Sequence, residues 1–123
     1  GNAVRFGTVN EILIAGEGIE TMLSLREVLP TMPMAAATSS AHLAAILFPR
    51  AVKRLYVARD NDPAGNAAVA TLIERAQPIG IEVIPLVPHL GDFNDDLQQR
   101  GSRQLALDLV GQLHQTDVGR FLE

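Results

Sequence analysis

The chain has 123 residues, a net charge of −4 and no cysteine, which points to one domain and excludes disulfides, thiolate zinc sites and thiol catalysis. The acidic balance excludes a broad basic nucleic-acid face, though not contact with phosphates through a metal ion. With 47% hydrophobic residues the chain can bury a good core. It carries no apolar run long enough to span a bilayer and no secretion pattern, so a cytoplasmic location without membrane contact is expected.

Residues 1–10 read as an arm, a tag remnant or a linker from an upstream domain: Gly1-Asn2-Ala3 resembles a cleavage scar, and Val4 to Val9 is weakly patterned. Glu11 to Ala15, EILIA, is a compact apolar strand with no hairpin turn after it, as expected of a central parallel strand. Gly16-Glu17-Gly18 breaks it, and Ile19, Met22, Leu23, Leu25 and Val28 then recur at helical spacing until Pro30. Met34 to Thr38 is a second short strand of small residues. Ser39 and Ser40 offer N-caps for a helix over Ala41 to Leu47.

Val52 to Ala58 is the third strand, and it runs into Asp60 and Asp62. Pro63 suits a first helical turn, so a helix is expected over Ala64 to Ala76. Ile81 to Val87 is a fourth strand, and Pro85 inside it marks a sheet edge. Beyond GDFNDDLQQRG a helix is expected from Ser102 to Gln115, then a tail over 116–123. The expected fold is an α/β domain over residues 11–115: a Rossmann-like, about four-stranded, mainly parallel sheet with helices on both faces.

In such a fold the loops after the strands share one rim, where open sheets bind ligands. That rim collects Glu17, Glu20, Thr38, Ser39, Asp60, Asp62 and Asp92. Asp62 is explained by helix capping before Pro63, and Asp92 with Asp95 by an acidic helix start. Capping does not explain Asp60, at the end of a buried strand, or Glu17, held between two glycines. Crowded carboxylates repel and hold their protons unless a cation is near, and hard oxygen ligands are what Mg²⁺ takes. Asp92 and Asp95 on the same rim offer a second metal site. Thr38, Ser39 and Ser40 offer hydroxyls and N–H groups to phosphate, or simple capping. Gly16, Gly18 and Gly65 permit close backbone approach. Arg50, Lys53 and Arg54 precede the third strand and are expected on the opposite rim, as solubility or interdomain surface.

These residues carry a resemblance. EILIAGEGIET, YVARDNDPAG and GDFNDDL together resemble the Toprim domain shared by primases, type IA and type II topoisomerases, OLD-family nucleases and RecR-type recombination proteins. The resemblance runs from about Glu11 to Gly101 and is nearest to plasmid- and phage-type primases and primase-helicases. It implies Glu17 as the general acid/base, and Asp60 and Asp62 as holders of Mg²⁺ or Mn²⁺ with help from Glu20, Asp92 and Asp95. It further implies nucleotidyl transfer in primer synthesis on DNA, from ribonucleoside triphosphates. The basic template-binding region of primases is not in this sequence, so an upstream domain is expected to supply it, with a helicase as a further partner and little activity in isolation. The alternatives are Toprim-type phosphodiester cleavage, as in nucleases and topoisomerases, and a non-catalytic binding module.

Overall fold

The computed structural model describes residues 3–6 and 11–122. Its centre is β2 (Ile12–Glu17), which runs parallel to β3 (Met34–Ala37) on one side and β4 (Arg54–Ala58) on the other. β5 (Glu82–Leu86) adds parallel to β4, and β1 (Val4–Phe6) adds antiparallel to β3, giving the order β1-β3-β2-β4-β5. The sheet therefore has five strands where the sequence suggested four, with one antiparallel edge. Val4 to Phe6, expected within an arm or linker, belongs to the domain. Ala3, also in the expected arm, packs partly buried against the core, and residues 1–2, 7–10 and 123 lie outside the described residues. β5 is an edge strand, as Pro85 requires of a residue without an N–H.

Alternation along the strands sorts the core into two layers. Ile12, Ile14, Tyr56 and Ala58 face one layer with α1 (Ile19–Arg26), α4 (Phe93–Val110) and α5 (Gln115–Phe121). Leu13, Ala15, Leu55 and Val57 face the other, with α2 (Ser40–Ala44) and α3 (Pro63–Ala76). Because β2 and β4 are covered on both faces, they read in the sequence as unbroken apolar runs. At Gly16 a side chain would meet Met22 Sδ at 2.6 Å and Ala58 O at 3.2 Å, so its absence lets α1 lie close over the end of β2. Among the described residues no helix is long and apolar enough to cross a membrane.

The C-terminal part departs most from the sequence reading. Helix α4 starts at Phe93 behind the acidic start expected at Asp92, breaks at Gly101 (φ 85°, ψ 163°, not helical) and resumes at Ser102, the expected start of the last helix. It ends at Val110, short of the expected Gln115. Residues 115–121, expected as the end of a helix and a tail, form α5, whose Asp117 and Phe121 are buried. Asp117 accepts from Arg54 Nη1 at 3.0 Å and from the fully buried Tyr56 hydroxyl, which in turn accepts from His114 N–H at 2.9 Å. Arg54 also donates to Glu82 at 2.8 Å. Arg54 is thus a structural tie between β4, β5 and α5, not free surface, although it does lie on the rim opposite the acids. Burial and the Asp117 carboxylate push the Tyr56 hydroxyl well above its usual range. Replacing Asp117 with asparagine removes the charge from two charge-assisted hydrogen bonds and is expected to cost about 2 kcal/mol. Urea denaturation reads this directly; a change below about 0.5 kcal/mol, the level of ordinary surface substitutions, would contradict it.

Candidate functional site

The carboxyl ends of β2, β4 and β5 open onto a cleft of about 390 Å³ lined by Glu17, Gly18, Ile19, Glu20, Thr21, Thr38, Asp60, Asp92 and Asn94. A larger apolar groove of about 460 Å³ lies between α1, α4 and α5, but none of these rim carboxylates lines it. The rim carboxylates gather in the smaller cleft.

Glu17 is the last residue of β2 and half-buried. Gly18 follows with φ 79°, a left-handed conformation that turns the chain into α1, and its N–H donates to Ala37 O at 2.7 Å. Ser40 Oγ donates to Glu17 Oε2 at 2.7 Å, orienting the carboxylate from the start of α2. Glu20 is exposed in the first turn of α1. Ser24 Oγ lies 2.9 Å from Glu20 O and 3.1 Å from Asn94 Oδ1, which ties α1 to the start of α4.

Asp60 stands two residues past β4, half-buried. Its Oδ1 is buried and has no hydrogen-bond partner among the described residues. Burial pushes its carboxyl up to about 6, reinforced in order by the charges of Glu17, Asp92, Asp62 and Asp95. Four acids from three different loops therefore act on one carboxylate. Asp62 is the N-cap of α3, with Oδ1 accepting from Gly65 N–H at 2.6 Å. Asp92 is the N-cap of α4, with Oδ1 accepting from Asp95 N–H at 2.8 Å. The capping explanation of these two aspartates is observed, and each cap engages one oxygen of its carboxylate.

The hydroxyl group of residues 38–40 is engaged within the protein. Ser39 caps α2 by accepting from His42 N–H at 3.1 Å, Thr38 Oγ1 pairs with His42 Nδ1 at 2.6 Å, and Ser40 holds Glu17. Only Thr38 of the three lines the cleft.

Two residues gained no role from the sequence. Asp96, fully buried, accepts from His89 N–H and Leu90 N–H at 2.7 Å each and so shapes the loop into α4. Asn61, between the two aspartates, bonds to the same loop through Pro88 O, Leu90 O and Gly91 O. A single short polar residue in an acidic run gives no local signal of such a partner.

The donors on this rim are hard oxygens of the kind Mg²⁺ takes. Among the described residues, however, no three His, Asp or Glu side chains converge in a geometry that would hold a metal ion as they stand. The cleft gathers the acids around Asp60 without closing them into a coordination shell.

Comparison with known proteins agrees with this architecture. The fold is similar to that of a DNA primase domain from Pseudomonas aeruginosa, with a TM-score of 0.58 and 22% identity over 83% of this chain and 33% of that one. It is also similar to the primase fragment of the bacteriophage T7 primase-helicase protein (TM-score 0.65, 17% identity, 81% of this chain and 44% of that one). The Aquifex aeolicus primase, in its zinc-binding and RNA polymerase domains, matches with a TM-score of 0.58 and 20% identity over 82% of this chain and 26% of that one. The chain thus spans between about a quarter and just under half of these primase chains. No curated protein sequence matches it. The Toprim domain family matches residues 12–103, from the start of β2 into the second half of α4. With that match over most of its length, and the acids placed after β2 and β4, the chain belongs to the Toprim family.

Proposed function

We propose that the acidic rim is the metal-binding half of a nucleotidyl-transfer centre of the primase kind, working on nucleic acid with ribonucleoside triphosphates. The observation that carries this is Asp60: a half-buried carboxylate with an unpartnered buried oxygen, faced by Glu17, Asp62, Asp92 and Asp95. Such an arrangement opposes folding unless a positive charge is supplied, and the all-oxygen donor set fits Mg²⁺ or Mn²⁺. Asp60 and Asp62 would hold the ion, with Glu20, Asp92 and Asp95 reachable from the cleft wall. The bound ion would neutralise the acids and polarise a phosphate of the nucleotide.

The chain's own residues do the rest. Glu17, oriented by Ser40, is placed to take a proton from an attacking hydroxyl at the cleft floor. Thr38 lines the cleft wall, and its hydroxyl would reach a phosphate oxygen only by giving up its pairing with His42 Nδ1. Strand ends and capped helix starts supply rigid positions for these groups, and positioning is most of what phosphoryl transfer asks of a protein. The net charge of −4 gives the chain little attraction for a phosphate backbone. Template contact is therefore assigned to primase elements outside this chain, which spans only part of the similar primases.

The test is nucleoside triphosphate binding with Mg²⁺ and with a chelator. Binding that needs the metal supports the reading, and equal binding in chelator contradicts the metal role. Strand cleavage by the purified chain with Mg²⁺ would favour hydrolysis over transfer.

A further inference from the structure

We infer that Asn61 is a positioning residue that holds the turn bearing Asp60 and Asp62 against the loop leading to Asp92 and Asp95, and so sets the separation of the two acidic pairs. The consequence for metal binding rests on the reading proposed above; the clamp itself does not.

Residues 88–91 join β5 to α4, and their backbone groups are divided between two neighbours. The amides of His89 and Leu90 donate inward to Asp96 on α4, at 2.7 Å each. The carbonyls point the other way: Pro88 O accepts from Asn61 Nδ2 at 3.1 Å, Leu90 O accepts from the same nitrogen, and Gly91 O accepts from Asn61 N–H at 2.9 Å. The loop is gripped by an acceptor on one side and by donors on the other. Across this junction the charges of Asp92 and Asp95 act against Asp60, and the hydrogen bonds of Asn61 tie the two loops together against that repulsion without adding charge. Only a carboxamide of this length offers two amide hydrogens to two carbonyls without adding charge. An aspartate at 61 would set a carboxylate against those carbonyls and deepen the repulsion.

The test uses the whole chain with Asn61→Ala and Asn61→Asp, read by amide hydrogen exchange without metal and by Mn²⁺ affinity. In both variants the His89 and Leu90 amides are expected to exchange about tenfold faster while core amides such as that of Leu55 exchange as in the wild type. Mn²⁺ binding weakens about tenfold, the usual loss when a group supporting a ligand is removed. The aspartate variant is the sharper arm, because an added carboxylate by charge alone would tighten Mn²⁺. Unchanged loop exchange, or acceleration of loop and core by the same factor, overturns the clamp. Tighter Mn²⁺ binding by Asn61→Asp with the loop still protected overturns it as well. A wild type that binds no Mn²⁺, with loop protection lost in Asn61→Ala, upholds the clamp and contradicts the metal reading instead.

Discussion

Replacing Asp60 with asparagine is expected to stabilise the metal-free protein above pH 6 while lowering its Mn²⁺ affinity at least a hundredfold. The two effects have one cause. The Asp60 carboxyl is pushed from 3.8 up to about 6 by burial and by the acids around it, so the folded chain holds this proton more tightly than the unfolded chain does. Between about pH 4 and pH 6 the folded state binds more protons, and its stability falls as pH rises. Above pH 6 the penalty is complete. Because Asp60 is only half-buried, solvent screening reduces that penalty to about 1 kcal/mol. Asparagine cannot ionise, so in chelator the variant gains this amount at pH 7.5 and nothing at pH 4. Thermal melts at the two pH values read the difference, and a variant less stable at both would contradict it. The loss of metal affinity follows from removing the carboxylate on which the other acids converge.

Gly65→Ala is expected to destabilise the fold by about 2 kcal/mol and to weaken Mn²⁺ binding as well. Gly65 lies in the first turn of α3, where alanine is by propensity the better residue by about 1 kcal/mol. Packing overrides this. A Cβ there would lie 2.6 Å from Asp60 O and 3.2 Å from Asp60 N, both backbone atoms. A flexible side-chain tip could move aside; a main chain hydrogen-bonded on both flanks cannot. Overpacking of this kind costs about 1–3 kcal/mol, and the atoms forced to shift belong to Asp60 itself. Urea denaturation together with Mn²⁺ titration checks both halves. A variant as stable as the wild type, showing helix propensity to prevail, would contradict the account.

Much of the centre of this fold is written locally. β2 and β4 are apolar because they are covered on both faces, and Pro85 marks an edge because it cannot donate to a ladder. Asp62 before Pro63 is a cap in the sequence and in the structure. Asp60 was conspicuous because no local role accounts for it, and it is the one rim carboxylate with an unpartnered buried oxygen among the described residues. The margins were less legible, for a common reason. Val4 to Phe6 is a strand only through its pairing with β3, and three residues are too few to show a period. Helix α5 is fixed by Asp117, whose partners Arg54 and Tyr56 lie more than sixty residues back in the chain. The helix expected from Ser102 does begin after a break at Gly101, whose backbone is not helical, but its end at Val110 and the separate α5 depend on packing. Asn61 and Asp96 act on one loop from opposite sides, a relation that exists only once β5 lies beside β4.

The central claim is that the acids of this rim exist to hold a divalent cation. The most direct test is a calorimetric titration of Mn²⁺ into the wild-type chain and into a variant carrying Asp60→Ala and Asp62→Ala, with and without a nucleoside triphosphate. The account predicts saturable binding by the wild type, strengthened by the nucleotide, and none by the variant. Equal binding by the two proteins, or none by the wild type at millimolar Mn²⁺, would contradict it.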